Sequence, residues 1–68
     1  IDSLTSRELS ILKLIAKGRS SKTIAEELTI SKNTVEVHRA NLMQKMGVNS
    51  SSQLVAQAVA FGIIDVDF

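Results

Sequence analysis

Residues 21–46 read SKTIAEELTISKNTVEVHRANLMQKM, and the punctuation of that stretch decides the fold. Ile24, Ala25 and Leu28 recur at helical spacing, and Ser20 or Ser21 offers a hydroxyl to cap the start of their helix. Thr29 and Ile30 form a tight connection. Ser31 then caps a longer helix that runs to about Met46. At 100° per residue, Val35, Leu42 and Met46 share one inward face of the longer helix. Asn33, Val37, Ala40 and Gln44 fall on the opposite face, and Thr34, His38, Asn41 and Lys45 line one shoulder between them. The stretch is a short helix, a brief turn and a long helix with an inner and an outer side.

Working outward, Thr5 and Glu8 have the spacing of a capping box, and Leu4 and Leu9 flank it as a hydrophobic staple. The helix they open carries Leu9, Ile11, Leu12, Ile15 and Ala16 as its apolar stripe. Downstream, Ser50 and Gln53 repeat the capping-box spacing. Gly18, Gly47 and Gly62 each follow a helical stretch, where a left-handed C-terminal cap belongs. No proline interrupts the pattern, and nothing alternates long enough to make a strand. The expected fold is all-α, one domain over 1–68, with helices at about 6–17, 21–28, 32–46 and 51–61.

Composition removes several function classes. With no cysteine there is neither a disulfide framework nor a thiolate metal site. A single histidine and scattered acids leave no nucleophile–base pair, so no catalytic residue, metal or cofactor is expected, and the chain does not read as an enzyme. No apolar run reaches the roughly 20 residues that cross a bilayer, and no secretory signal opens the chain, so a cytoplasmic protein without membrane contact is expected. The first residue, Ile1, reads as the start of a fragment of something longer. Net charge is only +1, but Lys13 to Lys45 holds seven basic residues against three acids. That local excess permits a polyanionic partner without requiring one.

A helix-turn-helix at about 21–40 directs attention to double-stranded DNA, because the major groove admits a whole α-helix. Asn33, Glu36, Val37 and Ala40 are the base-reading candidates: a short amide that donates and accepts, small apolar groups that suit thymine methyls, and one carboxylate. Glu36 either accepts from a cytosine amino group or acts as a filter against wrong partners. Ser21, Lys22, Lys32, Thr34, Asn41 and Lys45 are the phosphate candidates, by charge, hydrogen bonding or position near a helix N-terminus. Bland readings stand beside these. His38 borders the apolar face and is expected half-buried and satisfied, Arg39 is expected to snorkel, and Asn41 can tie its helix to neighbours. Val37 has no such structural excuse.

These residues resemble the LuxR-type helix-turn-helix of NarL/FixJ response regulators. Leu4-Thr5-Ser6-Arg7-Glu8 is similar to that family's LT-x-RE opening, and Gly18 with Ser21-Lys22-Thr23-Ile24-Ala25 to its G-x-S-N-K-x-I-A segment. Ile30 to Met46 resembles its I-S-x-x-T-V-x-x-H-x-x-N-I-x-x-K-L signature. The resemblance spans Leu4 to about Ile64. It implies a four-helix domain whose third helix reads DNA, a homodimer through the fourth helix, and an upstream receiver or sensor domain; RNA polymerase is a further candidate partner. In NarL-type members, basic side chains at the positions of Glu36 and Ala40 take part in base reading. Neither is basic here, so the base preference of those members does not carry over.

Gln53, Ala56, Gln57 and Ala60 share the outer face of the fourth helix and are the dimer candidates. Alanine is also simply a good helix former. The apolar tail, Ile63, Ile64, Val66 and Phe68, either packs back on the first helix or joins a dimer contact. Two other functions compete. A protein-interaction bundle that has lost DNA binding suits the low net charge and Glu36; a sigma-factor-type promoter reader shares the opening motif but fits the capped fourth helix less well.

Overall fold

The computed structural model describes residues 4–64. Among them the chain forms α1 (Ser6–Ala16), α2 (Ser21–Leu28), α3 (Lys32–Met46) and α4 (Ser51–Ala60). The expected bounds are met within one residue; Lys17 and Phe61 serve as C-caps instead of last helical residues.

Each helix starts where a hydroxyl meets a free backbone N–H. At α1 the reciprocal box is complete: Thr5 Oγ1 accepts from Glu8 N at 3.0 Å, and Glu8 Oε1 accepts from Thr5 N at 3.1 Å. Ser20, not Ser21, caps α2, and Ser31 caps α3. The box expected at α4 is only half formed. Ser50 Oγ accepts from Gln53 N, but the Gln53 side chain reaches one residue further back and accepts from Asn49 N at 2.9 Å.

All four helices end in the same doubly bonded turn, with a left-handed residue after the last helical carbonyls. Three of those residues are glycines. The fourth is Thr29, at φ 59° and ψ 46°, between α2 and α3. Its amide donates to Glu26 O, and that of Ile30 donates to Ala25 O at 3.0 Å. A β-branched residue held there costs roughly 1–2 kcal/mol against its preferred backbone. The turn is therefore made at a local cost that the packing of α2 against α3 must offset.

Helix α3 is the central element. It packs on α1, α2 and α4, and α1 also meets α2 and α4. The shared core comprises Ile11, Leu12 and Ile15 from α1, Ile24 and Ala25 from α2, Val35, Leu42 and Met46 from α3, Leu54 and Ala58 from α4, and Ile64. Leu4, Ala16 and Leu28 pack against its edge. A domain of about this size buries only about 60% of its unfolded surface, so each fully enclosed side chain matters. Of the apolar tail, Ile64 is buried in this core and Ile63 half-buried. Val66 and Phe68 lie outside the described residues.

Candidate nucleic-acid interface

With Val35, Leu42 and Met46 buried, the rest of α3 is presented outward. Asn33, Glu36, Val37 and Ala40 are all exposed, so the four base-reading candidates share the open side of one helix. Val37 leaves 58% of its surface to solvent. A β-branched residue is a poor choice for an exposed mid-helix position, where it loses side-chain freedom and buries little. Three of the four side chains are short, so the helix backbone can come close to whatever it faces. At 15 residues, α3 is also long enough to span a groove.

The phosphate candidates divide by what already holds them. Lys22 and Lys32 are exposed, in the first turns of α2 and α3. Ser21 is half-buried. Thr34 Oγ1 lies 2.8 Å from Ser31 Oγ, and its amide donates to the same oxygen at 3.0 Å, so the Thr34 hydroxyl is part of the α3 cap. Amides of those first turns that no cap oxygen satisfies are available to an anion. Asn41 is exposed, and its side chain makes no hydrogen bond within the described residues, so it does not tie α3 to a neighbour.

Lys45 is the exception. Its ammonium donates to Glu8 Oε1 at 2.7 Å, across 37 residues of sequence. The Glu8 side chain is 5% exposed and that of Lys45 33%. The same carboxylate oxygen also accepts from Thr5 N. The Lys45 hydrogen bond holds the Glu8 carboxyl below its ordinary value, against burial, which pushes it up. The Thr5 amide and the charges of Lys45 and His38 lower it further. One side chain therefore caps α1 and anchors the end of α3, and the positive charge at that shoulder is shared with an internal carboxylate. Sequence spacing assigned Glu8 to its cap and Lys45 to phosphate, with no local sign that they meet.

Besides Asn41, two structural expectations differ from what the fold shows. His38 is half-buried as expected but not satisfied: among the described residues its Nδ1 is enclosed without a hydrogen-bond partner. Arg39 does not merely snorkel. Its guanidinium donates to Ser51 Oγ at 2.6 Å and ties the middle of α3 to the first residue of α4.

On α4, Gln53, Ala56 and Ala60 are exposed and Gln57 is half-buried. With Gly47 and Val48 they line an open groove of about 460 Å3. Helix α4 carries no charged residue, in contrast to α3. Among the described residues, no group of three histidine or acidic side chains could hold a metal ion. Nor is any described helix long and apolar enough to cross a membrane.

The sequence profile described as "Bacterial regulatory proteins, luxR family" matches residues 2–58. The chain is 44% identical over 63 residues to the uncharacterized response regulatory protein YgeK of Escherichia coli (strain K12), covering 93% of this chain and 43% of that protein. It is 48% identical over 63 residues to the transcriptional regulatory protein MctR of Rhizobium johnstonii, covering 93% and 29%. It thus spans less than half the length of these relatives. In three dimensions it superimposes on the transcription factor GerE with a TM-score of 0.90 at 36% identity, covering 98% of this chain and all of that one. By profile, sequence and fold together, the chain belongs to the luxR family of bacterial regulatory proteins, DNA-binding transcription regulators built on this four-helix frame.

Proposed function

We propose that this chain is the DNA-reading output domain of a cytoplasmic response regulator, its 68 residues belonging to a single domain. In this reading α3 lies in the major groove of double-stranded DNA. Asn33, Glu36, Val37 and Ala40 meet base edges, and Ser21, Lys22, Lys32, Thr34, Asn41 and Lys45 flank the phosphates. The observation that carries it is the outer side of α3, where Val37 stands 58% exposed among polar and short side chains. A helix evolved only to support a core would put a smaller or charged residue there. Lys45 acts on phosphate as the outer member of its pair with Glu8, and so contributes less than a free lysine.

The uncharged groove on α4 supports a homodimer through Gln53, Ala56, Gln57 and Ala60, which would place two copies of α3 on two half-sites. The response-regulator relatives are longer than this chain and support an upstream receiver domain that controls it. RNA polymerase is the partner through which a bound regulator would act on transcription.

The test is a titration of the chain with random duplex DNA at two salt concentrations, followed by backbone amide shifts. The expected result is a set of shifts confined to residues 32–45 and the start of α2, shrinking steeply as salt rises. Absence of any shift at low salt would reduce the helix-turn-helix to a scaffold and favour a protein partner.

A further inference from the structure

We propose that Glu36 makes α3 select cytosine, fixing one C·G pair in each half-site; the inference rests on the DNA-binding reading above. Glu36 is exposed on the outer side of α3, flanked along the helix by Asn33 and Ala40, both shorter. Its carboxylate is thus the group that reaches furthest from that line of the helix.

Neighbouring cations leave it alone. Lys32, one turn before, forms no ion pair with it among the described residues. Arg39, three residues on, is turned away to Ser51 Oγ. Intrahelical pairing with either was available at those spacings. Glu36 therefore faces outward as an unneutralised acceptor, in a segment whose other outward groups suit close approach to bases.

The chemistry of the groove then decides what it can meet. An ionised carboxylate only accepts hydrogen bonds. Guanine presents two acceptors in the major groove, thymine an acceptor and a methyl, and adenine an acceptor beside its amino group. Cytosine alone presents a donor with no acceptor of its own, the N4 amino group. At guanine and thymine a desolvated carboxylate faces lone pairs or a methyl, and at adenine the amino group it could accept from lies beside the repelling N7 lone pair; burying it without a full partner is costly. Glu36 both rewards cytosine and penalises its competitors. Ala40, which cannot hydrogen-bond through its side chain, leaves that position to Glu36.

The experiment is selection of binding sites from a randomised duplex library by the wild-type chain, Glu36→Ala and Glu36→Gln. Affinities are then measured for the selected duplex and its single-base variants at one salt concentration. In the wild type, one half-site position is expected to be cytosine, preferred about tenfold over the other bases, within the usual cost of one mismatched pair. Glu36→Ala abolishes that preference and leaves the other positions unchanged. Glu36→Gln moves it toward adenine, whose N6 and N7 suit an amide. Both variants alter an exposed side chain that has no partner among the described residues, and amide spectra verify that they fold. The same motif in all three proteins overturns the inference while leaving DNA binding intact. A Glu36-dependent preference for another base overturns it too, as does a uniform gain on every duplex in Glu36→Ala. If the wild type enriches no motif, the reading of the chain as a sequence-specific DNA binder fails with it.

Discussion

The outer sides of α3 and α4 look alike in one respect and differ in another. Both expose small or apolar groups that the core does not need: Val37 and Ala40 on α3, Ala56 and Ala60 on α4. The α3 face is set among charges, with Lys32, Glu36, Arg39 and Lys45 on the same helix, whereas α4 has none. A polyanion rewards cations around a contact surface, and bases reward placed polar groups. A second copy of the same chain rewards neither, because like charges would meet across a two-fold axis. Charge, more than hydrophobicity, separates the face proposed for DNA from the face proposed for self-association. Arg39 on Ser51 joins the two helices, so the contrast is built on one rigid support.

The strongest way to break this contrast is to charge the uncharged side. Ala56→Glu is expected to abolish self-association, since two carboxylates then oppose each other in the groove at a cost of about 2–3 kcal/mol. Sedimentation of the variant at high concentration checks it, and the amide shifts with random DNA are expected to persist. A variant that still self-associates would move the dimer contact away from Gln53, Ala56, Gln57 and Ala60.

A smaller effect tests how much of the charge on α3 is internal. Glu8→Gln removes the carboxylate under Lys45 and is expected to cost about 1–2 kcal/mol at pH 7. That is below the usual penalty for breaking a fully buried pair, because the Lys45 side chain remains 33% exposed and can be hydrated. The Glu8 carboxyl titrates lower in the folded chain than in the unfolded one. Its stabilisation is therefore complete above the unfolded value of about 4.3 and is lost as pH falls through the lower folded value. Denaturant unfolding across the acid range is expected to show wild type and Glu8→Gln converging as the wild type loses this increment. Parallel curves would mean the pair does not stabilise the fold.

The smallest effect concerns the turn that sets α3 at its angle to α2. Thr29→Gly relieves the left-handed strain but adds freedom to the unfolded chain, for a net gain of about 0.5–1 kcal/mol. A thermal melt measures it. A loss of stability would mean that Thr29 makes contacts worth more than its backbone costs.

How much of this was legible beforehand follows from the range of each interaction. Thr5, Ser20, Ser31 and Ser50 bond to amides three residues away, so short spacings sufficed to place the helix starts. Ser20 over Ser21, and the half-formed box at Gln53, were finer than spacing resolves, since both arrangements are locally reasonable. The outward set Asn33, Val37 and Ala40 was readable because helical periodicity is rigid once the inner face is known. Thr29 was not, because glycine is the usual marker of a left-handed turn and threonine carries no such sign.

The sequence by itself determined the four helices, their ends within a residue, the apolar face each turns inward and the residues left for an outer partner. Those are consequences of caps and periods that act over three or four positions. Only the tertiary structure decided that Glu8 meets Lys45, that Arg39 reaches Ser51, and that the buried Nδ1 of His38 has no partner among the described residues. The two contacts bridge 37 and 12 residues. They depend on how α3 lies against α1 and α4, and that placement comes from packing the shared core, not from any local signal in the chain.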